Sequence, residues 1–186
     1  MLKLIIPLCF LLFFNIYPQT LSISHQQINT IKFLAQSTFS DFEGVTNAIE
    51  GSISFDSAFT KESEINLMVH LDSLDTGIGL RNSHMREKYL DTEKYPDADF
   101  TGNISSINKI SDFEYDVVVS GMLKIHGVEK LFKINGKIFR YGKLYKIETN
   151  FKINLPDFNI EQPKFLFTKV DNEIVIQLSV YLIKQG

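Results

Sequence analysis

The sequence predicts an all-β antiparallel domain with one helix inserted between its third and fourth strands. Three observations carry that prediction. Eight segments after residue 30 alternate apolar and polar residues with period two, which puts one apolar face on each. Turn residues such as Asn135-Gly136 and Tyr141-Gly142 fall near their ends. A single segment, Ile78 to Leu90, breaks the period and places Ile78, Met85 and Tyr89 at helical spacing.

The runs follow in order. Ile31, Phe33 and Ala35 share one face of the first, and Ile49, Gly51, Ile53 and Phe55 one face of the second. Ile65, Leu67, Val69 and Leu71 form the third, before the helix, for which Thr76 is the expected N-cap and Pro96 the limit. Phe100, Gly102 and Ile104 resume the alternation, and Phe113 to Ile125 is the longest run. Phe132 to Ile138, Ile147 to Leu155 and Ile174 to Leu182 complete the set. Glycines 51, 102, 121 and 136 lie on apolar faces, where they permit the tight coiling of a closed barrel. Eight strands suit a barrel that is either filled by side chains or holds one ligand. A solid-cored sandwich has nearly the same pattern and stays open as the alternative.

Composition narrows the function. With 186 residues, 44% hydrophobic and 22% charged, the chain suits one folded domain. A net charge of −3 and a pI near 5.8 argue against nucleic-acid binding. The single cysteine, Cys9, excludes an intramolecular disulfide and a thiolate zinc cage. Tryptophan is absent while phenylalanine occurs 16 times.

The first residues read as a secretory signal peptide over 1–22, with Lys3 ahead of an apolar run from Leu4 to Phe14. Cleavage is expected between Tyr17 and Ser24, and an uncleaved anchor is the alternative. Ile6, Pro7 and Leu8 make a poor lipobox for Cys9. The expected location is therefore periplasmic or secreted, with the folded domain spanning 28–184.

No nucleophile elbow, phosphate loop or His-Glu-x-x-His motif occurs, so no catalytic residue is assigned. His84 and His126 are the histidines in helix or turn contexts, and neither has metal-ligand spacing to a neighbour. No metal is expected. The densest polar cluster is Arg81, Asn82, His84, Arg86 and Lys88 on the helix, near one end of the presumed barrel. It reads either as an ordinary solvated face or as a cationic rim for the head of an amphipathic ligand.

Two blocks resemble the YceI-like family: Leu71-Asp72-Ser73-Leu74-Asp75-Thr76-Gly77 through Tyr95-Pro96, and Gly121 through Lys130. The resemblance implies a lipocalin-like eight-stranded antiparallel β-barrel with an inserted α-helix. It also implies a carrier of an amphipathic lipid, such as a polyisoprenoid or a quinone-like molecule, with no other cofactor. Asn82 stands where many relatives carry an acidic residue, and Asn159 where a glycine is common.

The resulting expectation is a lipid-sequestering protein and not an enzyme. A brief membrane contact for lipid exchange and a homodimer are both compatible with it. By parity, the lumen contacts are Phe33, Phe55, Leu67, Val69, Phe100, Tyr115, Val117, Val119 and Phe151. Arg81, His84 and Arg86 are the head-group candidates. The rival readings are a lipid-modifying enzyme with His84 or His126 as base, and an interaction module with a solid core.

Overall fold

The computed structural model describes residues 19–55, 63–165 and 168–184. Eleven strands occur among them: β1 Gln19–Ile23, β2 Thr30–Ser37, β3 Phe42–Thr46, β4 Ile49–Phe55, β5 Glu64–His70 and β6 Asp97–Lys109. There follow β7 Glu114–Ile125, β8 Val128–Tyr141, β9 Leu144–Asn154, β10 Lys164–Phe165 and β11 Thr168–Lys184. Eight of these close a barrel in the order β1-β4-β5-β6-β7-β8-β9-β11, with β11 returning to β1. All registered pairs are antiparallel, so hairpins and short links suffice for connection.

The long strand β11 explains how nearby pieces of the N-terminal chain share one seam. It pairs with β2 along Val170–Ser179 and with β1 along Leu182–Lys184. Buried Asn29 stitches the link between them, donating to the Ser24 carbonyl at 3.0 Å and accepting from the Tyr181 amide at 2.8 Å. β3 then pairs with the outer edge of β2. Beyond β3 the sheet continues as a bridge between Val45 and Asp75, in the loop before the helix.

Closure needs two strands to approach very closely. Gly102 and Gly121 face each other across β6 and β7, and the Phe100 ring lies over both. A Cβ on Gly121 would sit 2.6 Å from the Gly102 Cα and 2.7 Å from the Phe100 ring. The glycine pair therefore makes room for an aromatic side chain on the inner wall.

Eight alternating runs and eight barrel strands agree in number but differ in one member. The run at Ile31 is β2, which lies alongside the barrel seam. The closing strand is β1, whose Leu21 and Ile23 are buried within the barrel. Strands β3 and β10 also lacked a clear sequence signal, being five and two residues long.

The helix lies where the broken periodicity puts it, as α1 Gly79–His84 followed by a π-helical turn Met85–Leu90. The cap expectation is corrected. Ile78 occupies the N-cap without a side-chain hydrogen bond, and Thr76 bonds elsewhere. Asn159 adopts a left-handed conformation at φ 56°, closing the 3-10 turn Leu155–Phe158 as a glycine would.

On the outer wall, His70 Nδ1 lies 2.6 Å from Asp97 Oδ1 and its Nε2 3.6 Å from Glu50. The Asp97 hydrogen bond holds the His70 pKa above its ordinary value of 6.5. Protonated His70 therefore stabilises the fold fully below pH 6.5, and the contribution is lost as pH rises through the raised folded pKa. Because the side chain is partly exposed, the effect is under about 1 kcal/mol. Thermal melts across that window should show a step that His70→Gln removes; an unchanged step in the variant would reassign it.

Candidate functional site

The inner wall is not packed throughout. Two buried clusters occupy the barrel. The lower includes Leu21, Ile23, Phe55, Tyr145, Val180 and Leu182; the upper includes Leu123, Ile125, Leu155, Phe158, Ile160 and Val170. Inward-facing Leu67, Val69, Val119, Ile147, Leu178 and Phe151 are only partly buried, although they point away from bulk solvent. Their residual exposure is to a cavity of about 590 Å³. That volume lies in the range of small-molecule sites. The wall is almost wholly aliphatic and aromatic, and its Thr149 hydroxyl is already spent on the Asn135 carbonyl at 2.6 Å.

The structure thus separates the expected lumen residues into two groups. Phe33, Leu67, Val69, Phe100, Val117, Val119 and Phe151 line the cavity. Phe55, a member of the lower cluster, and Tyr115, packed against it, stand outside the lining and belong to the floor beneath the cavity. Parity places them on the inner face, but depth along the barrel decides whether that face meets a void.

The upper end is roofed by the helical segment. Ile78, Leu80, Arg81, His84, Met85, Tyr89 and Leu90 all line the cavity from that side. Ile78 and Leu80 are 52% and 62% exposed, so the cavity lining reaches solvent there. The roof is fastened by a polar knot at its start. The Asn82 Oδ1 accepts from the Thr76 amide at 2.9 Å and the Thr76 hydroxyl at 2.6 Å, while its Nδ2 donates to Asp75 Oδ1 at 2.7 Å.

An ionised carboxylate at position 82 could accept from Thr76 but could not donate to Asp75. Asparagine does both, which accounts for the amide at this buried position. Asp75 is held below the usual carboxylate range by the Asn82 and Gly77 hydrogen bonds, with a further contribution from the Arg86 charge.

The head-group candidates divide in the same way. Arg81 donates through Nε to the Thr76 hydroxyl at 2.9 Å and through Nη2 to the Thr76 carbonyl at 2.7 Å. Its guanidinium also covers the Phe42 ring at 4.3 Å, so it braces the roof against β3. Arg86 lies outside the cavity lining and acts on Asp75. His84 is exposed and lines the opening.

His126 sits at φ 51° in the turn between β7 and β8, outside the cavity lining. Its Nδ1 is 3.1 Å from the Phe158 carbonyl and its ring packs on Tyr95 at 4.7 Å. It therefore anchors a turn. Among the described residues, no three His, Cys, Asp or Glu side chains gather as a metal site.

Sequence reasoning missed a second polar region beside the roof. Lys88, Tyr89, Glu161, Gln162 and Lys164 line a recess that shares Tyr89 and Lys164 with the main cavity. The Tyr89 hydroxyl latches the two sides together, donating to the Lys164 carbonyl at 3.3 Å and accepting from its amide at 3.2 Å. The members come from the helical segment and the approach to β10, so no local motif announces them.

Comparison with known proteins agrees with this architecture. A polyisoprenoid binding domain from Saccharophagus degradans, implicated in plant cell wall breakdown, superposes with a TM-score of 0.70 at 16% identity, covering 89% of this chain and 98% of that one. Burkholderia cenocepacia BcnA gives 0.69 at 19% identity, covering 82% and 95%. These likenesses are of fold. In sequence, a UPF0312 protein of Photorhabdus laumondii is 35% identical over 131 residues, covering 67% of this chain and 62% of the relative. The chain thus spans less than two thirds of that relative's length. The YceI-like domain model matches residues 20–182, from within the closing strand β1 to within β11, and the chain belongs to that family.

Proposed function

We propose that the protein sequesters or carries an amphipathic isoprenoid-like or fatty lipid in the barrel lumen. The observation that carries this reading is the apolar cavity of about 590 Å³, whose inward side chains remain unpacked. Moving a tail into it removes apolar surface from water at roughly 25 cal/mol per Å², so burying about 300 Å² contributes roughly 7 kcal/mol. The polyisoprenoid-binding description of the Saccharophagus degradans neighbour supports the ligand class. The reading is of a binding protein, without a catalytic step. Mass spectrometry of organic extracts from the purified protein is the direct test. A recurring lipid with a long apolar chain is the expected result; repeated extracts free of lipid would sink the proposal.

Secretion through the apolar N-terminal segment belongs to the same reading. The ligand would then be exchanged with a membrane through the roofed end. Phe39 in the β2–β3 turn, 73% exposed, lies between the cavity-lining residues Ser37 and Ser40. With Ile78 and Leu80 it continues the apolar lining outward onto the surface. Because the chain lacks tryptophan, Phe39→Trp supplies a reporter without background. Its emission should shift to the blue on adding lipid vesicles, whereas that of Phe113→Trp, in the distant β6–β7 turn, should not. Equal behaviour of the two would refute the assigned orientation.

A further inference from the structure

We infer that the recess formed by Lys88, Tyr89, Gln162 and Lys164 receives an anionic head group whose tail lies in the main cavity. This rests on the carrier reading and specifies its ligand as an anionic amphiphile.

The argument begins with the shared wall. Tyr89 and Lys164 line both spaces, so a chain leaving the apolar cavity past them enters a polar recess at once. The residues of this segment divide accordingly. Ile160 and Pro163 face the apolar cavity, while Glu161 and Gln162 face the recess. On the helical side, Lys88 faces the recess and Leu90 the cavity.

The charge distribution supplies the second part. Lys164 stands directly opposite Lys169 across β10 and β11, an arrangement that like charges disfavour. Among the described residues, Lys88, Lys164 and Lys169 form no ion pair, although Lys88 lies over the Tyr89 ring at 5.3 Å. An anion placed between Lys88 and Lys164 would relieve that repulsion and take charge-assisted hydrogen bonds. Gln162 is already oriented by donating one Nε2 hydrogen to the Val170 carbonyl at 3.0 Å, leaving the second hydrogen as a donor. Glu161 is the opposing charge in the recess. It weakens anion binding there, and removing its charge should strengthen it.

The arrangement also shows why the arginines of the helix do not serve. Arg81 is committed to Thr76 and Phe42, and Arg86 acts on Asp75. Arg86 keeps a buried Nε without a hydrogen-bond partner but lines neither space, so Lys88 and Lys164 are the cations that line the recess.

The test is calorimetric titration of delipidated full-length protein with a matched pair, farnesyl phosphate and farnesol, and with inorganic phosphate alone. Farnesyl phosphate should bind roughly tenfold more tightly than farnesol at low salt, with the margin shrinking as salt rises. Lys88→Ala with Lys164→Ala should abolish that margin, and a thermal melt matching the parent's, with farnesol still bound, reports an intact barrel. Glu161→Gln should widen it. Equal binding of the pair by the parent protein, or a margin that survives the double substitution, would overturn the head-group assignment and leave the carrier reading standing. Inorganic phosphate binding as tightly as farnesyl phosphate would assign the recess to a free anion and overturn it likewise. Failure of both farnesyl probes to bind would overturn the carrier reading as well.

Discussion

A chain that begins at Ser24 should lose the cooperative thermal transition that a chain beginning at Gln19 keeps. The difference is β1. Leu21 is 0% exposed and Ile23 6%, and both pack in the lower cluster with Phe55, Val180 and Leu182. Burying two such side chains contributes roughly 3–6 kcal/mol. That is a large share of the ~5–15 kcal/mol by which domains of this size are stable.

The strand also satisfies two edges at once, pairing with β4 from Gln19 to Ser22 and with β11 from Leu21 to Ile23. Without it, both edges are open to association with other chains. Circular-dichroism melts with light scattering would show a broadened, lower transition and aggregation. An unchanged transition would mean that the seam closes without β1. The result bears on processing, since cleavage late in the interval Tyr17 to Ser24 would remove a barrel strand. On the secretion reading proposed above, a mature N-terminus at or before Gln19 is therefore expected from N-terminal sequencing. Residues 1–18, which carry most of the signal-peptide reading, lie outside the described residues.

Substituting Val119→Trp should weaken lipid binding roughly fifty-fold while leaving the barrel folded. Val119 lines the cavity and is only partly buried, so an indole can extend into open space. In a filled core the same change would overpack and cost about 1–3 kcal/mol of stability. Displacing roughly three methylenes of ligand removes about 2.4 kcal/mol, or roughly fifty-fold in affinity. Titration with a fluorescent fatty probe, alongside a thermal melt, separates the outcomes. Weakened binding with an unchanged melt supports a hollow lumen. A collapsed melt, or intact binding, would contradict it.

Much of the fold was legible because each strand has one buried face. Ile31, Ile53, Ile65, Ile104, Val117, Ile134, Ile153 and Ile174 are all inward and buried, as period-two parity places them. The helix was legible because Ile78 to Leu90 breaks that parity. β1 was not, although Leu21 and Ile23 alternate with Thr20 and Ser22, because the strand continues an apolar leader and reads as part of it. The N-cap assignment failed for a related reason. Thr76 has the right chemistry for a local cap, but the tertiary partner Asn82 claims its hydroxyl and amide.

The site was legible in a different measure. Local alternation determined which side chains face inward, since neighbouring residues on a strand must point to opposite sides. It could not determine which of them meet each other and which border a void. Phe55 and Val119 share the same pattern, yet one packs into the floor and the other lines the cavity. That distinction depends on how far along the barrel each residue lies and on what closes the ends. The polar recess depended on tertiary structure still more strongly. Lys88 and Lys164 come together because the Tyr89 hydroxyl bonds the Lys164 backbone across 75 residues of chain. Of the features read first, the 16 phenylalanines changed most in meaning. The sequence by itself made them material for an apolar interior; the closed barrel decided that some, such as Phe158, pack solidly while Phe33, Phe100 and Phe151 border the cavity.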